Sequence, residues 1–126
     1  MARFLIVDDS KLMRDMVAAC LRPLGTMSAE FAASGLEAIE RLALATFDMV
    51  VLDLNMPDVG GVEVIEFIRS QDQLKALPIL VVTTRSDDTS RARVFEAGAS
   101  GFLNKPFTPP QILDEVRRLL ASGSPA

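Results

Sequence analysis

The sequence predicts an α/β fold in which five parallel strands alternate with five helices. Three observations point there. Short apolar runs recur at residues 4–7, 49–52 and 79–82, with weaker candidates at 27–31 and 101–103. The runs at 49–52 and 79–82 are apolar throughout, which marks strands covered on both faces. The stretches between the runs carry apolar residues at helical spacing, and such alternation builds right-handed crossovers between parallel strands.

The elements follow in order. The first strand, 4–7, runs into Asp8, Asp9 and Ser10. After Ser10, the residues Leu12, Met13, Met16, Val17, Cys20 and Leu21 make one apolar stripe, expected to face the core. Pro23 and Gly25 end that helix. Cys20, the only cysteine, cannot form an internal disulfide and is expected to be a buried core thiol. Beyond the weak strand at 27–31, Ser34 and Glu37 form a capping box ahead of Ile39 and Leu42. The strand at 49–52 leads to Asp53, then to a tight loop with Asn55, Met56, Pro57, Asp58, Gly60 and Gly61, whose glycines are expected at positive φ. The next helix, 62–69, carries Val62, Ile65 and Ile68 on one side. The strand at 79–82 ends at Thr83. Asp87 or Asp88 caps a fourth helix that stops at Gly98. The last strand, 101–103, precedes Asn104-Lys105-Pro106-Phe107, where Lys105-Pro106 is a candidate cis bond. Thr108, with Pro109 at the first helical position and Gln111 three residues on, opens a fifth helix with Ile112, Val116, Leu119 and Leu120 inward.

Composition narrows the chemistry. At 126 residues and 49% hydrophobic content the chain fits one domain with a real core. No apolar run approaches the ~20 residues that span a bilayer, and no basic start leads an apolar signal stretch. A cytoplasmic protein without membrane contact is the natural expectation. The formal charge of -4, with 13 basic and 17 acidic residues and neither Trp nor Tyr, argues against direct nucleic-acid binding. Histidine is absent, which removes a His base, a His metal ligand and a phosphohistidine on this chain. Carboxylates, hydroxyls and lysine must carry any mechanism.

In parallel α/β sheets the site lies beyond the carboxyl ends of the strands. Asp8, Asp9, Asp53, Thr83 and Lys105 all end or follow a predicted strand, so the alternation brings them to one edge. Three carboxylates gathered there repel and raise one another's pKa, unless a cation sits among them or one of them reacts. Mg²⁺ binds through one or two carboxylates plus waters and phosphate oxygens. Asp8 and Asp9 would hold it, Asp8 directly or through water, with a backbone carbonyl at Asn55 as a further ligand. Asp53 stands alone at its strand end and is the better nucleophile for an aspartyl phosphate. Lys105 pairs with a carboxylate and then with a phosphoryl oxygen, to which the Thr83 hydroxyl can also donate. The plainer alternative makes Asp8 and Asp9 solvated turn acids, Asp8 capping the first helix.

Val7-Asp8-Asp9-Ser10, Asp53-Leu54-Asn55-Met56-Pro57 with Gly60-Gly61, Thr83-Thr84 and Lys105-Pro106-Phe107 resemble the receiver domain of two-component response regulators, in its CheY-like single-domain form. The pieces occur in the family's order along nearly the whole chain. The resemblance implies a flavodoxin-like, doubly wound five-stranded sheet of order 2-1-3-4-5 with five helices. It implies a receiver unit over 1–121 and a flexible tail over 122–126. It implies that a sensor histidine kinase or phosphotransfer protein phosphorylates Asp53, with Mg²⁺ on Asp9, Asp53 and the Asn55 carbonyl. Asp8 completes the acidic pocket, and Lys105 and Thr83 bind phosphoryl oxygens. Phe102 occupies the aromatic switch position, which is often Tyr, so any output contact through a hydroxyl is lost, and the inward state of the ring is expected to be favoured. Arg91, Arg93, Phe102 and Arg117 lie on the expected output surface, built from the fourth helix, fifth strand and fifth helix. Asn55 and Arg85 stand where the family varies its dephosphorylation rate. The role is a signalling switch in phosphorelay signal transduction, chemotaxis among the candidate pathways, rather than an enzyme. Two alternatives are weighed. A Mg²⁺-dependent phosphatase acting through Asp53 would want a second Asp where Asn55 stands. A phosphate-independent interaction module would not need the full set Asp8, Asp9, Asp53, Thr83 and Lys105.

Overall fold

The computed structural model describes residues 2–56, 59–84 and 87–122. Five parallel strands, β1 (Ala2–Val7), β2 (Met27–Ala32), β3 (Met49–Leu52), β4 (Ile79–Thr83) and β5 (Gly101–Asn104), form one sheet. Their order is β2-β1-β3-β4-β5. Five helices alternate with them: α1 (Lys11–Cys20), α2 (Gly35–Leu44), α3 (Gly61–Ser70), α4 (Asp88–Ala97) and α5 (Pro109–Ser122). The fold is therefore flavodoxin-like and doubly wound. α5 runs through Ser122, and residues 123–126 of the expected tail lie outside the described residues.

The apolar runs are explained by the two layers they feed. Successive side chains of a strand point to opposite faces. Leu5 and Val7 of β1, Val50 and Leu52 of β3 and Ile79 and Val81 of β4 pack with Ala38, Leu42, Val64, Ile65, Ile68 and Val94 under α2, α3 and α4. Phe4, Ile6, Met49, Val51, Leu80 and Val82 face the other way, onto Val17 and Leu21 and onto Ile112, Val116 and Leu119 of α5.

Local signals place the helix starts. Ser34 Oγ accepts from the Glu37 N–H at 3.1 Å, and Glu37 Oε1 accepts from the Ala33 N–H at 3.1 Å. Thr108 and Gln111 cap reciprocally at 3.3 and 2.8 Å. Of the two candidate caps for α4, Asp87 is the one used, accepting from the Ser90 N–H at 3.0 Å. Gly98 ends α4 at φ 122, a conformation that suits glycine. The Lys105-Pro106 bond is cis.

Several expectations need correction. Leu12 is 73% exposed and Met16 42% exposed, so the α1 stripe is not buried as a whole. Only Val17 within the helix and Leu21 at its end are fully covered. Cys20 is half-buried rather than a core thiol, and burial pushes its thiol pKa up. Leu120 and Val62 are half-buried, and Val64 joins Ile65 and Ile68 in the core of α3. Gly60 has φ -68, so the glycines after Asp53 are not there for positive φ. Gly61 is there for space. A Cβ on it would meet the Leu54 Cα at 2.8 Å and the Asp53 carbonyl oxygen at 3.1 Å.

Candidate functional site

β1 and β3 are sheet neighbours whose register ends at Val7 and Leu52. The next residues are Asp8 and Asp53. The Asp8 N–H donates to the Ala32 carbonyl at 3.1 Å and the Asp53 N–H to the Val7 carbonyl at 2.9 Å. The ladder thus aims both acids at the carboxyl edge of the sheet. Asp8 (3% exposed) and Asp53 (4%) are buried, while Asp9 is exposed. One carboxylate oxygen from each of the three lies within 4.8 Å of the others.

Lys105 follows β5, two strands away from β3, and its long side chain spans the gap. Its ammonium donates to Asp8 Oδ2 at 2.7 Å and lies 3.7 Å from Asp53 Oδ1. Its backbone N–H donates to the Thr83 carbonyl at 2.8 Å, which ties the ends of β4 and β5 together. Thr83 is fully buried. Asn55 is exposed and its amide donates to the Thr84 hydroxyl at 3.4 Å, linking the loops after β3 and β4.

Among the described residues, Asp53 Oδ1 is the buried side-chain polar atom without a hydrogen-bond partner. The Asp53 pKa is raised, first because burial penalises the charged form. Lys105 opposes this. Asp8 then raises the pKa, the Asn55 backbone N–H lowers it and Asp9 raises it further. Mutual repulsion of the acids is thus a smaller cause than burial, contrary to the sequence-based emphasis on like charges.

This donor set fits a hard cation such as Mg²⁺, which prefers oxygen ligands. The three acids do not fit it equally. Asp8 already accepts from the Ser10 N–H at 2.9 Å on Oδ1 and from Lys105 on Oδ2, which suits contact through water. Asp9 is open to solvent, which suits direct contact, and Asp53 brings a second carboxylate of the same cluster within reach. Asp8 is not the helix cap; Ser10 Oγ is, accepting from the Met13 N–H at 3.3 Å.

The other singled-out residues lie on α4, β5 and α5. Phe102 is buried at 9% exposure. Arg91 is exposed, yet its guanidinium carbon sits 5.4 Å from the Phe102 ring centroid and 5.6 Å from that of Phe95. The two rings are 6.4 Å apart. Arg93 and Arg117 are exposed. Arg85, Pro57 and Asp58 lie outside the described residues.

Three residues were missed by sequence reasoning. Arg14 donates to the Asp8 carbonyl at 2.7 Å. Its signal was its place four residues after the Ser10 cap, on the helix face that looks back at the strand end. Phe95 carries no local signal. Arg69 donates to the carbonyls of Gly98 (2.9 Å), Lys75 (3.0 Å) and Leu77 (2.7 Å), tying the turn after α4 to the segment that leads into β4, at the sheet edge opposite the site.

Residues 4–117 match the response regulator receiver domain. The chain belongs to that family. It is 35% identical over 117 residues to chemotaxis protein CheY-3 of Vibrio cholerae, covering 93% of this chain and 90% of the relative. It is 32% identical to chemotaxis protein CheY of Pseudomonas aeruginosa, over 93% of this chain and 94% of the relative. Among solved structures, the chemotaxis response regulator CheY4 of Vibrio cholerae superposes with a TM-score of 0.88 at 39% identity, covering 94% of this chain and 98% of that one. A receiver domain is a signalling module of two-component systems rather than a dedicated enzyme. No described helix is long and apolar enough to cross a membrane.

Proposed function

We propose that this receiver domain is a phosphorylation-controlled switch that takes a phosphoryl group onto Asp53. The observation that carries this reading is the Asp53 Oδ1 atom. It is buried, has no hydrogen-bond partner among the described residues, sits in the acidic cluster and lies 3.7 Å from the Lys105 ammonium. An oxygen whose lone pairs are not committed to donors is available as a nucleophile.

The donor is a phosphohistidine on a sensor kinase or phosphotransfer protein, which accords with a chain that has no His of its own. As the Asp53 Oδ1–P bond forms, the donor's N–P bond breaks and its electron pair stays on the imidazole, which takes up a proton. Asp9, Asp53 and the Asn55 carbonyl, with Asp8 through water, would hold Mg²⁺, which would supply positive charge to the phosphoryl oxygens. Lys105 keeps its hold on Asp8 and turns its remaining hydrogens to a phosphoryl oxygen. The Thr83 hydroxyl donates to another. Positioning and electrostatics therefore carry the reaction.

Drawing Thr83 toward the phosphoryl group shifts the loop after β4 and the packing around Phe102. The readout is a change in the α4, β5 and α5 surface that carries Arg91, Arg93 and Arg117, with Phe102 beneath Arg91, offered to a protein partner in the cytoplasm. The relatives' names favour chemotaxis or motility as the pathway. The test is intact-mass analysis after incubation with acetyl phosphate. One added phosphoryl mass is expected with Mg²⁺, and none with EDTA or in Asp53→Asn. An adduct that survives in Asp53→Asn contradicts the assignment. Repeated turnover of metabolite phosphates would make the chain a phosphatase.

A further inference from the structure

The β1 ladder ends at Val7, so the Asp8 carbonyl lies just past the last paired residue of the strand. Arg14, on the first turns of α1, supplies its donor, at 2.7 Å from the guanidinium. One residue further on, the Ser10 N–H donates to Asp8 Oδ1 at 2.9 Å. These two bonds bracket Asp9. The peptide group before it is held through its carbonyl by Arg14. The peptide group after it is held through its N–H by Asp8. Because each peptide unit is planar, fixing both fixes where the Asp9 Cα and its side chain start. Asp9 needs this because it is exposed, so packing does not orient it.

From this geometry we infer that Arg14 is a positioning residue: by pinning the Asp8–Asp9 peptide it aims the Asp9 carboxylate at a divalent cation shared with Asp53. The inference rests on the metal-binding reading above. It also makes a prediction with an unusual sign. A guanidinium near an acidic cluster repels a cation, so removing it should strengthen cation binding if charge were all that mattered. If Arg14 acts through the peptide it holds, removing it weakens binding instead.

Mn²⁺ binding to the full chain, followed by electron paramagnetic resonance, reads this without any phosphoryl transfer. Arg14→Ala is expected to weaken Mn²⁺ binding by about 3- to 10-fold, the worth of one hydrogen bond. Arg14→Lys, which keeps a donor on a long stem, is expected to recover most of that loss. Asp9→Asn should lose more than Arg14→Ala. Arg69→Gln serves as the control for general loosening. It breaks a hydrogen-bond cluster remote from the acids and should leave Mn²⁺ affinity unchanged below its unfolding transition. If Arg14→Ala fails to fold, Arg14→Met, which keeps a long stem without a donor, decides: weaker binding in a folded protein supports the role, and wild-type or tighter binding overturns it. Tighter binding in Arg14→Ala, or equal loss in Arg69→Gln, overturns the inference. If wild type itself shows no saturable Mn²⁺ binding, or Asp9→Asn binds as wild type does, the metal reading fails and this role falls with it.

Discussion

At the scale of single residues, the site is a place where folding accepts a cost. A buried carboxylate oxygen forfeits its hydration, and no hydrogen-bond donor among the described residues replaces it. Lys105 compensates in part, and the remaining imbalance appears as a raised Asp53 pKa. The stability consequence has a definite sign. Below the ordinary value of 3.8, Asp53 is protonated in both folded and unfolded chains and contributes no penalty. As pH rises the unfolded chain ionises first, so stability falls until the folded pKa has been passed. Asp53→Asn removes that penalty. In EDTA it should be more stable than wild type at pH 7, and its advantage should shrink toward zero as pH falls to 4. Urea unfolding followed by circular dichroism at several pH values measures this; a pH-independent difference would count against it. The meeting of Asp8, Asp53 and Lys105 at one edge was legible because each follows a strand read from the sequence. Arg14's was not, since its partner is a backbone carbonyl, and sequence patterns do not show which carbonyls the ladder leaves over.

At the scale of elements, what the sequence shows depends on how local the cause is. Capping is decided within four residues, so the boxes at Ser34–Glu37 and Thr108–Gln111 could be read directly. The face a helix buries is decided by its neighbours. α1 packs on β1 and against α5, which covers Val17 and Leu21 and leaves Leu12 and Met16 to solvent. The apolar stripe was therefore wider than the contact. Leu12→Ala should change stability by less than ~0.5 kcal/mol, whereas Leu21→Ala should cost about 2–5 kcal/mol. Comparable losses at both positions would show that the stripe is buried after all. The loop after Asp53 makes the same point. Two adjacent glycines signal positive φ from sequence, yet Gly61 is required by the closeness of the Leu54 backbone and the Asp53 carbonyl, a tertiary cause.

At the scale of the whole molecule, the site exists because of strand order. β1 and β3 are adjacent, so residues 45 apart in sequence become neighbouring acids, and Lys105 reaches Asp8 across 97 residues. Periodicity alone gave five strands and one carboxyl edge. The order of the strands came from the family motifs, because adjacency in a sheet has no local signature. Lys105 is thus a long-range tie as well as a chemical group. Its side chain is 13% exposed, so the ion pair is little screened. Lys105→Met leaves two buried acids without their cation and should destabilise the metal-free protein at pH 7 by about 3 kcal/mol. Millimolar Mg²⁺ should restore more stability to Lys105→Met than it adds to wild type, since it replaces the lost charge. Equal Mg²⁺ effects on the two proteins would place the ion elsewhere.

The claim on which all three scales converge is that the unpartnered oxygen of Asp53 is the phosphoacceptor. Reducing the acetyl phosphate-treated protein with borohydride converts an aspartyl phosphate to homoserine, which peptide mass spectrometry locates. Homoserine at position 53, formed only when Mg²⁺ was present, is the predicted result. Homoserine at position 8 or 9, or none at all in a protein that carries the phosphoryl mass, would contradict it.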